Sequence, residues 1–500
     1  MTTLECIMMG IGNAITPYNL FVAFAGTFLG VIIGAFPGLS ATMGIILMLP
    51  LTYKMPLSSG LIMLLGIYSG AMFGGSIAAI MVKIPGTPSA AATLLDGPKF
   101  AEKGEGARGI LIALIGSFIG GIISSVLLMV CAPALAEVAL KFFAQDFFAL
   151  GILALSVIAS VSNGEVVKCL IASVLGLFIM TIGTDSTTGY TRFTFGNINL
   201  LSGIDSVPAM LGMFALPDVI DNLMKKPKTM TPQKADKMKL QKGDLKKIIP
   251  TSISGSVIGT FIGAVPGTGA GISAFLNYNM TRNFSKEKDQ FGKGSVEGIA
   301  ASESANNATA AGTLIPLLTL GIPGDVCAAI MLGAFISKGM QPGPLLFTTQ
   351  TKEMYTLFVG SFIINIIMLL VGIALVRLFI QAAKVPMSIL TPIIFLFCVV
   401  GVYSINNSFF DMWVMLAFGV LGYIFNKMNV PLPGMLIAMT LSQLVETNFR
   451  RAVMTSKMDF TVFFTSPICA TVLLVAVVLL FAPIILDHFK KKKAESKELA

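Results

Sequence analysis

Four Pro-Gly dipeptides stand inside or beside long apolar stretches of this chain: Pro37-Gly38, Pro85-Gly86, Pro266-Gly267 and Pro323-Gly324. Proline removes a backbone donor and glycine weakens a helix, so each pair breaks the helix around it. In hydrocarbon, a broken helix is tolerated only where it is packed in protein or lines a water-filled cavity. The freed N–H groups carry partial positive charge and can hold a carboxylate. Freed carbonyls can coordinate a cation. Hydroxyls lie close by: Ser40 and Thr42 follow the first pair, Thr87 the second and Thr268 the third. The fourth pair ends the stretch "ESANNATAAGTLIPLLTLGIPG", which sets Glu303, Ser304, Asn306 and Asn307 beside an apolar run. Adjacent asparagines can offer amide oxygens to Na+ or amide N–H groups to a carboxylate. The chemistry predicted is reversible binding of an anion together with a cation. The anion candidates are Pro37, Gly38, Ser40, Pro85, Gly86, Thr87, Pro266, Gly267, Thr268, Asn307, Pro323 and Gly324; the cation candidates are Ser76, Ser304 and Asn306. The plainer alternatives are kinks in packed helices and an inter-helix hydrogen bond at the asparagines. Lys83 and Asp325 flank the two later breaks and are either functional charges at membrane depth or interfacial ones.

The elements that must carry these residues are membrane helices. The chain has 500 residues, 55% of them hydrophobic and only 12% charged, where a soluble globular chain has about 25% charged. Residues 109–131, 357–376 and 463–486 are apolar runs near the ~20 residues needed to cross the hydrocarbon core. Long alternating strands are absent, which argues against a barrel. Residues 1–17 contain Glu5 and no basic region, so they read as a short interfacial helix rather than a signal peptide. Six cysteines are scattered without metal-ligand spacing and read as small buried hydrophobes. The lone His488 sits in the C-terminal tail, so no histidine-based metal or acid–base site is expected and no cofactor is implied.

The breaks recur. "GTFLGVIIGAFPG" at 26–38 matches "GSVIGTFIGAVPG" at 255–267, an offset of 229; "KIPG" at 83–86 matches "GIPG" at 321–324, an offset of 238. Two motifs in the same order at nearly the same offset indicate an internal duplication. "GIYSGAMFGGS" at 66–76, with Tyr68, Ser69 and Ser76, occupies the place in copy one that the asparagines occupy in copy two. Glycines at four-residue spacing (Gly26, Gly30, Gly34; Gly66, Gly70, Gly74) are explained by close helix packing.

Basic residues orient the copies. Lys54 is the one basic residue before Lys83, and copy one ends at Lys99, Lys103 and Arg108. Copy two follows a run, 223–247, with nine lysines and two aspartates, and it ends with only Lys338 and Lys352. If basic loops are cytoplasmic, copy one starts outside and copy two inside, the inverted plan of many secondary transporters. The expected fold is an all-α polytopic membrane protein with two inverted repeats, broken or re-entrant helices and roughly 11–13 membrane segments. Residues 18–108 form repeat one, 109–247 connecting helices with a basic cytoplasmic loop, 248–353 repeat two, 354–488 C-terminal helices and 489–500 a basic cytoplasmic tail. The N-terminus is expected outside and the C-terminus inside. Arg450 and Arg451 fall in a loop that this count puts outside, so either 431–445 does not cross fully or the rule is broken locally.

The stretches "GAFPGLSATMGIILMLPLTY", "GIYSGAMFGGSIAAIMVKIPGTPSAAATLLDGPKFAEKGEGARG" and "ESANNATAAGTLIPLLTLGIPGDVCAAIMLGAF…GMQPGPLLF" resemble the large membrane subunit of tripartite tricarboxylate transporters. The resemblance covers nearly the whole chain. It implies a bacterial secondary importer in the cytoplasmic (inner) membrane, driven by a Na+ or H+ gradient. It implies two partners, a small membrane subunit and a periplasmic or tethered substrate-binding protein, and an organic carboxylate substrate, citrate-like by default. It also implies a small or hydroxyl residue where this chain has Asp325. An ATP-driven pump is disfavoured because no GxxxxGK[ST] loop occurs. The alternatives are a carboxylate-selective channel and an intramembrane hydrolase. A hydrolase needs a Ser–His pair, a metal cluster or two facing carboxylates, and Glu303 with Asp325 is the one obvious carboxylate pair.

Overall fold

The computed structural model describes residues 2–481 except 37–38, 161, 163–164, 186–187, 225–237 and 383–386. The Pro37-Gly38 pair, most of the lysine run and the tail with His488 therefore lie outside the described residues. The described chain is almost entirely helical: α1 (Thr3–Ala14), α2 (Pro17–Ala35), α3 (Ala41–Tyr53), α4 (Leu57–Val82), α5 (Gly97–Glu102), α6 (Gly106–Ala139), α7 (Ala144–Ser160), α8 (Val166–Ile179), α9 (Ser206–Met224), α10 (Asp244–Gly263), α11 (Gly269–Phe284), α12 (Val296–Gly312), α13 (Leu314–Leu320), α14 (Val326–Ser337), α15 (Leu346–Thr349), α16 (Thr351–Ala382), α17 (Met387–Asn406), α18 (Phe409–Lys427), α19 (Leu432–Thr455) and α20 (Val462–Thr465). A last apolar helix covers Pro467–Phe481. The strands described are two short ones, Gly183–Thr184 and Thr191–Arg192, paired between α8 and α9. Among the described residues five helices are long and apolar enough to cross a membrane: α2, α4, α6, the 351–376 part of α16, and α18. With mean hydropathy +0.85, the chain is an all-α polytopic membrane protein.

Helix α4 is the axis of the molecule. Its most apolar 18-residue window is 100% buried. Small residues let α2 lie directly on it: a Cβ at Gly30 would stand 2.5 Å from the Ile67 carbonyl oxygen, and one at Gly26 would stand 2.6 Å from that of Met63. Copy two repeats the arrangement, with Gly259 of α10 against Ala305 of α12 and Gly263 against Thr309. Gly30 and Gly259 are 229 positions apart, Ile67 and Ala305 238. These are the offsets of the two motifs, so the duplication holds at the level of which residues touch.

The loops fall into two linked groups. In one, Arg108 grips Asp244 with Nε to Oδ2 at 2.9 Å and a second bond at 2.8 Å. Asp96 accepts from the backbone N–H groups of Gly294 at 2.8 Å and Ser295 at 2.7 Å, and from the Tyr278 hydroxyl at 2.8 Å. In the other, Lys338 Nζ donates to the Met55 carbonyl at 2.7 Å and Asn13 donates to Thr356 at 3.0 Å. Each contact joins the two copies or ties a copy to its neighbours. None of them joins loops that the lysine count places on opposite faces.

Residues 431–445 lead into helix α19. It is one helix of 24 residues, about 36 Å at 1.5 Å per residue. Arg450 is paired with Asp185 at 2.6 Å and with Glu446 at 2.9 Å, and Arg192 bonds Glu446 at 2.6 Å. Two arginines are thus balanced by two acids, which weakens the conflict between Arg450 and the charge rule.

Candidate functional site

In copy two the two breaks meet, and in copy one the second break packs on the end of α2. In copy two the Gly267 N–H donates to the Gly324 carbonyl at 2.7 Å, and Gly324 presses against the backbone of Gly263 and Thr313 with no room for a side chain. Gly267 has φ 80°, a left-handed conformation that suits glycine. In copy one the Gly86 N–H donates to the Gly75 carbonyl at 3.3 Å, and Gly86 presses against Gly34 at the end of α2. Gly34 with Gly263, Gly75 with Thr313 and Gly86 with Gly324 are related by the two offsets.

The copies then cross. The start of α14, after copy two's second break, packs on α3 of copy one, where the Thr42 hydroxyl lies 3.3 Å from the Cys327 sulfur. The 3-10 turn Pro88–Ala91, after copy one's second break, packs on α11 of copy two. There a Cβ on Gly271 would lie 3.9 Å from the Pro88 carbonyl oxygen and 4.0 Å from Ser89 Cα. Thr42 corresponds to Gly271, and Ser89 to Cys327, by the same offsets. The Tyr68 hydroxyl of α4 donates to Asp325, while one turn further along α4 Met72 receives Asn306 Nδ2 on its carbonyl at 3.4 Å and the Ser89 hydroxyl on its sulfur at 3.2 Å. Four residues of helix span about 6 Å, so both crossings gather at one level of the α4 axis.

The hydroxyls named from sequence are distributed unevenly. Ser40 caps α3, accepting from Met43 N–H at 3.2 Å. Thr87 is buried and shares a hydrogen bond of 2.9 Å with Ser89. Thr268 closes its own turn by donating to Ile262 at 2.6 Å. Ser76 donates to Phe73 at 2.7 Å and Ser304 to Ala300 at 2.7 Å, each along its own helix. Asn306 and Asn307 diverge, since successive residues on a helix point about 100° apart. Asn306 faces α4, whereas Asn307 Nδ2 meets the Met368 sulfur of α16 at 3.3 Å. Both amide oxygens are buried without a partner, and a buried polar atom left unpaired is costly.

The two flanking charges part ways. Lys83 is exposed and bonds Glu102 at 2.8 Å. With Lys99 it holds the Glu102 carboxyl below its ordinary value. Asp325 is turned inward, caps α14 by accepting from Ala328 N–H at 2.8 Å and accepts from Tyr68. It therefore occupies the positive end of α14 with the protein's own negative charge. Sequence reasoning did not assign the partners that copy one lends to copy two, Tyr68 for Asp325 and Thr93 for Glu303. It also passed over Asn365 of α16, whose amide oxygen is a third buried orphan. A hydroxyl in a buried apolar stretch was the available signal; which residue it faces was not.

A cavity of about 610 Å³ ends on Gly267 and is lined by Ile158, Ser162, Glu165, Asp218 and Asn426 among others. Just beyond, Gly269 opens α11 with nothing within 4 Å of a Cβ placed there. The start of α11 is thus open where that of α14 is filled. Open helix starts can receive an anion. Among the described residues no group of three His, Cys, Asp or Glu could hold a metal ion.

The comparisons fit this arrangement. A model of the tripartite tricarboxylate transporter TctA family matches residues 20–437. The chain is 37% identical over 476 residues, 95% of each chain, to an uncharacterised 52.8 kDa protein of the TAR-I ttuC' 3' region of Agrobacterium vitis. It is 38% identical over 228 residues, 45% of this chain and 94% of the relative, to an uncharacterised protein of the TAR-II ttuC' 3' region of the same organism. No solved structure matches. A match over this length places it: the protein belongs to the TctA family of tripartite tricarboxylate transporters.

Proposed function

We propose that this chain is the large membrane subunit of a secondary importer that moves an organic carboxylate, citrate-like by default, into the cell with a Na+ or H+ gradient. A separate binding protein delivers the substrate and a small membrane subunit completes the complex. The observation that carries this reading is the crosswise meeting of the break segments, Thr42 with Cys327 and Ser89 with Gly271. It gathers helix starts and hydroxyls at one level, and no arginine lies within any of the four breaks. The carboxylate is received by free N–H groups and hydroxyls, with the open start of α11 as its first support. The 610 Å³ cavity that ends on Gly267 is the path on one side. The loop contacts support inverted copies; with basic loops inside, the N-terminus lies outside and the C-terminus inside the cytoplasmic membrane. The broken hairpins then carry the site past the frame of unbroken helices, rather than rocking around a fixed site.

The test is uptake into liposomes containing both membrane subunits, with the binding protein outside, varying Na+, H+ and the carboxylate separately. Saturable, binding-protein-dependent uptake against a gradient is expected. A conductance that neither saturates nor needs the binding protein would make the chain a channel. Cysteines placed at Lys286 and at Met55 should react from opposite faces; labelling of both from outside would end the inverted topology.

A further inference from the structure

We infer that Glu303 is the centre of a buried sodium site, closed by the Asn306 amide oxygen and the hydroxyls of Thr93, Ser117 and Ser302. The inference rests on the transport reading above for its purpose, not for its geometry. Glu303 is 0% exposed in the middle of α12. The Thr93 hydroxyl donates to one carboxylate oxygen and the Ser117 hydroxyl to the other at 3.4 Å. The Ser302 hydroxyl lies 3.2 Å from that of Thr93, and Asn306 stands three residues further along α12, on the same side of the helix as Glu303. A buried carboxylate that stays ionised needs a balancing positive charge, and among the described residues no basic side chain bonds this one.

The charged and titratable groups on the helices packed around α12 are engaged elsewhere or lie at the ends. Tyr68 of α4 donates to Asp325, and Tyr278 of α11 to Asp96. Arg108 of α6 and Asp244 of α10 hold each other, and Lys247 of α10 holds Glu287.

The second observation is independent of the carboxylate. Asn306 Oδ1 is fully buried with no hydrogen-bond partner, although its own amide nitrogen is engaged by the Met72 carbonyl. A carboxylate, an amide oxygen and three hydroxyls make an oxygen-only set, the ligand type of hard cations. One formal negative charge suits a monovalent ion. A hydroxyl that donates to the carboxylate still has lone pairs to give to the ion. The donors come from three parts of the chain. Thr93 follows copy one's second break, Glu303, Ser302 and Asn306 belong to copy two, and Ser117 lies on the connecting helix α6. Sodium binding would therefore tie the segment after Pro85-Gly86 to α12. That segment also carries Thr87 and Ser89, so occupancy by the ion favours the arrangement that receives the anion, and the anion favours the ion to the same degree.

The experiment is equilibrium binding of radioactive sodium to the purified full chain in detergent, with choline as the replacing cation and no carboxylate present. Wild type should bind, and Glu303→Gln should not. Asn306→Ala and Thr93→Val should each weaken binding about tenfold or more, the loss of one ligand to a buried ion. Asp325→Asn should bind as wild type. Sodium bound with unchanged affinity by Glu303→Gln, or by wild type no better than choline, overturns the site. If Glu303→Gln does not fold, Glu303→Asp keeps the charge and withdraws it by one methylene; wild-type affinity in that variant overturns the site equally. A response at Glu303 to pH alone, without sodium binding, assigns a proton and overturns it too. Sodium binding with no uptake of citrate or succinate by the complete complex leaves the site standing and sinks the transport reading. Sodium-driven uptake that survives Glu303→Gln does the reverse.

Discussion

Two of the buried carboxylates, Asp325 and Glu303, are held across the copies in the same way but sit in different backbone settings. Each belongs to copy two and accepts a hydroxyl from copy one, Tyr68 for Asp325 and Thr93 for Glu303. Asp325 sits at the start of α14 and takes the Ala328 N–H. A helix start carries about half a positive charge, so this carboxylate has its counter-charge built in. Glu303 sits in mid-helix, where the backbone N–H groups are already used, and has hydroxyls around it. The positions that correspond to them in copy one are Thr87 and Leu65, neither charged. The duplication thus supplies a near-symmetric frame, and at these two positions copy two alone carries a charge.

The frame itself should be the most sensitive part. Gly86 and Gly324 press on backbone, on Gly34 and Gly263 respectively, and backbone cannot move aside as a side-chain tip can. Gly86→Val and Gly324→Val should each cost about 3 kcal/mol or more, beyond the usual overpacking penalty. Both should abolish uptake and lower the melting temperature in detergent. If one copy tolerates valine and the other does not, the symmetric frame is wrong at that break.

The next effect separates the two carboxylates. Asp325→Ala removes a helix cap and leaves the Tyr68 hydroxyl unpaired in the core, at a cost of about 2 kcal/mol. Asp325→Ser restores a cap and should recover about 1 kcal/mol of it. Thermal melts of the three proteins at equal detergent concentration decide the matter. A serine variant no better than alanine would mean that Asp325 acts through its charge rather than as a cap, and would bring it closer to Glu303 in kind.

These contrasts mark where sequence reasoning works and where it stops. Pro-Gly pairs and glycines at four-residue spacing act through backbone geometry, which is local, so the close helix packing at Gly26, Gly30 and Gly34 and the break at Pro266-Gly267 could be anticipated from sequence. Pairings such as Tyr68 with Asp325 span 257 positions and depend on how the copies cross, for which a single sequence holds no local signal. Orientation is equally hidden. Lys83 and Asp325 flank equivalent breaks, yet one faces outward and the other inward. Arg450 read as a breach of the charge rule because its partner Asp185 lies 265 positions away.

Asn306 and Asn307 provide a smaller test. Each has a buried, unpaired amide oxygen, but they face α4 and α16 respectively. Asn306→Ala and Asn307→Ala should each lower apparent cation or substrate affinity by about 1–3 kcal/mol, roughly tenfold or more, with assembly intact by size-exclusion chromatography. Uptake kinetics equal to wild type in both would return the pair to a packing role. A loss confined to Asn306→Ala would place the chemistry on the α4 side of α12.

The smallest effect has the opposite sign. Lys83 ends α4 with φ 60°, and Gly321, its counterpart by the 238 offset, ends α13 with φ 71°. Both are left-handed helix ends, which glycine adopts freely and a residue with a side chain adopts at a cost of about 1 kcal/mol. Lys83 gains little in return, because its pair with Glu102 is exposed and screened by solvent. Lys83→Gly makes the two copies alike at this point. It should raise stability by about 0.5–1 kcal/mol, seen as a small increase in melting temperature, and leave uptake unchanged. Lys83→Ala removes the same charge without relieving the backbone, so it should show neither gain nor loss of transport. If both variants lose uptake, the lysine acts on the substrate through charge, and copy one would carry a charge of its own after all.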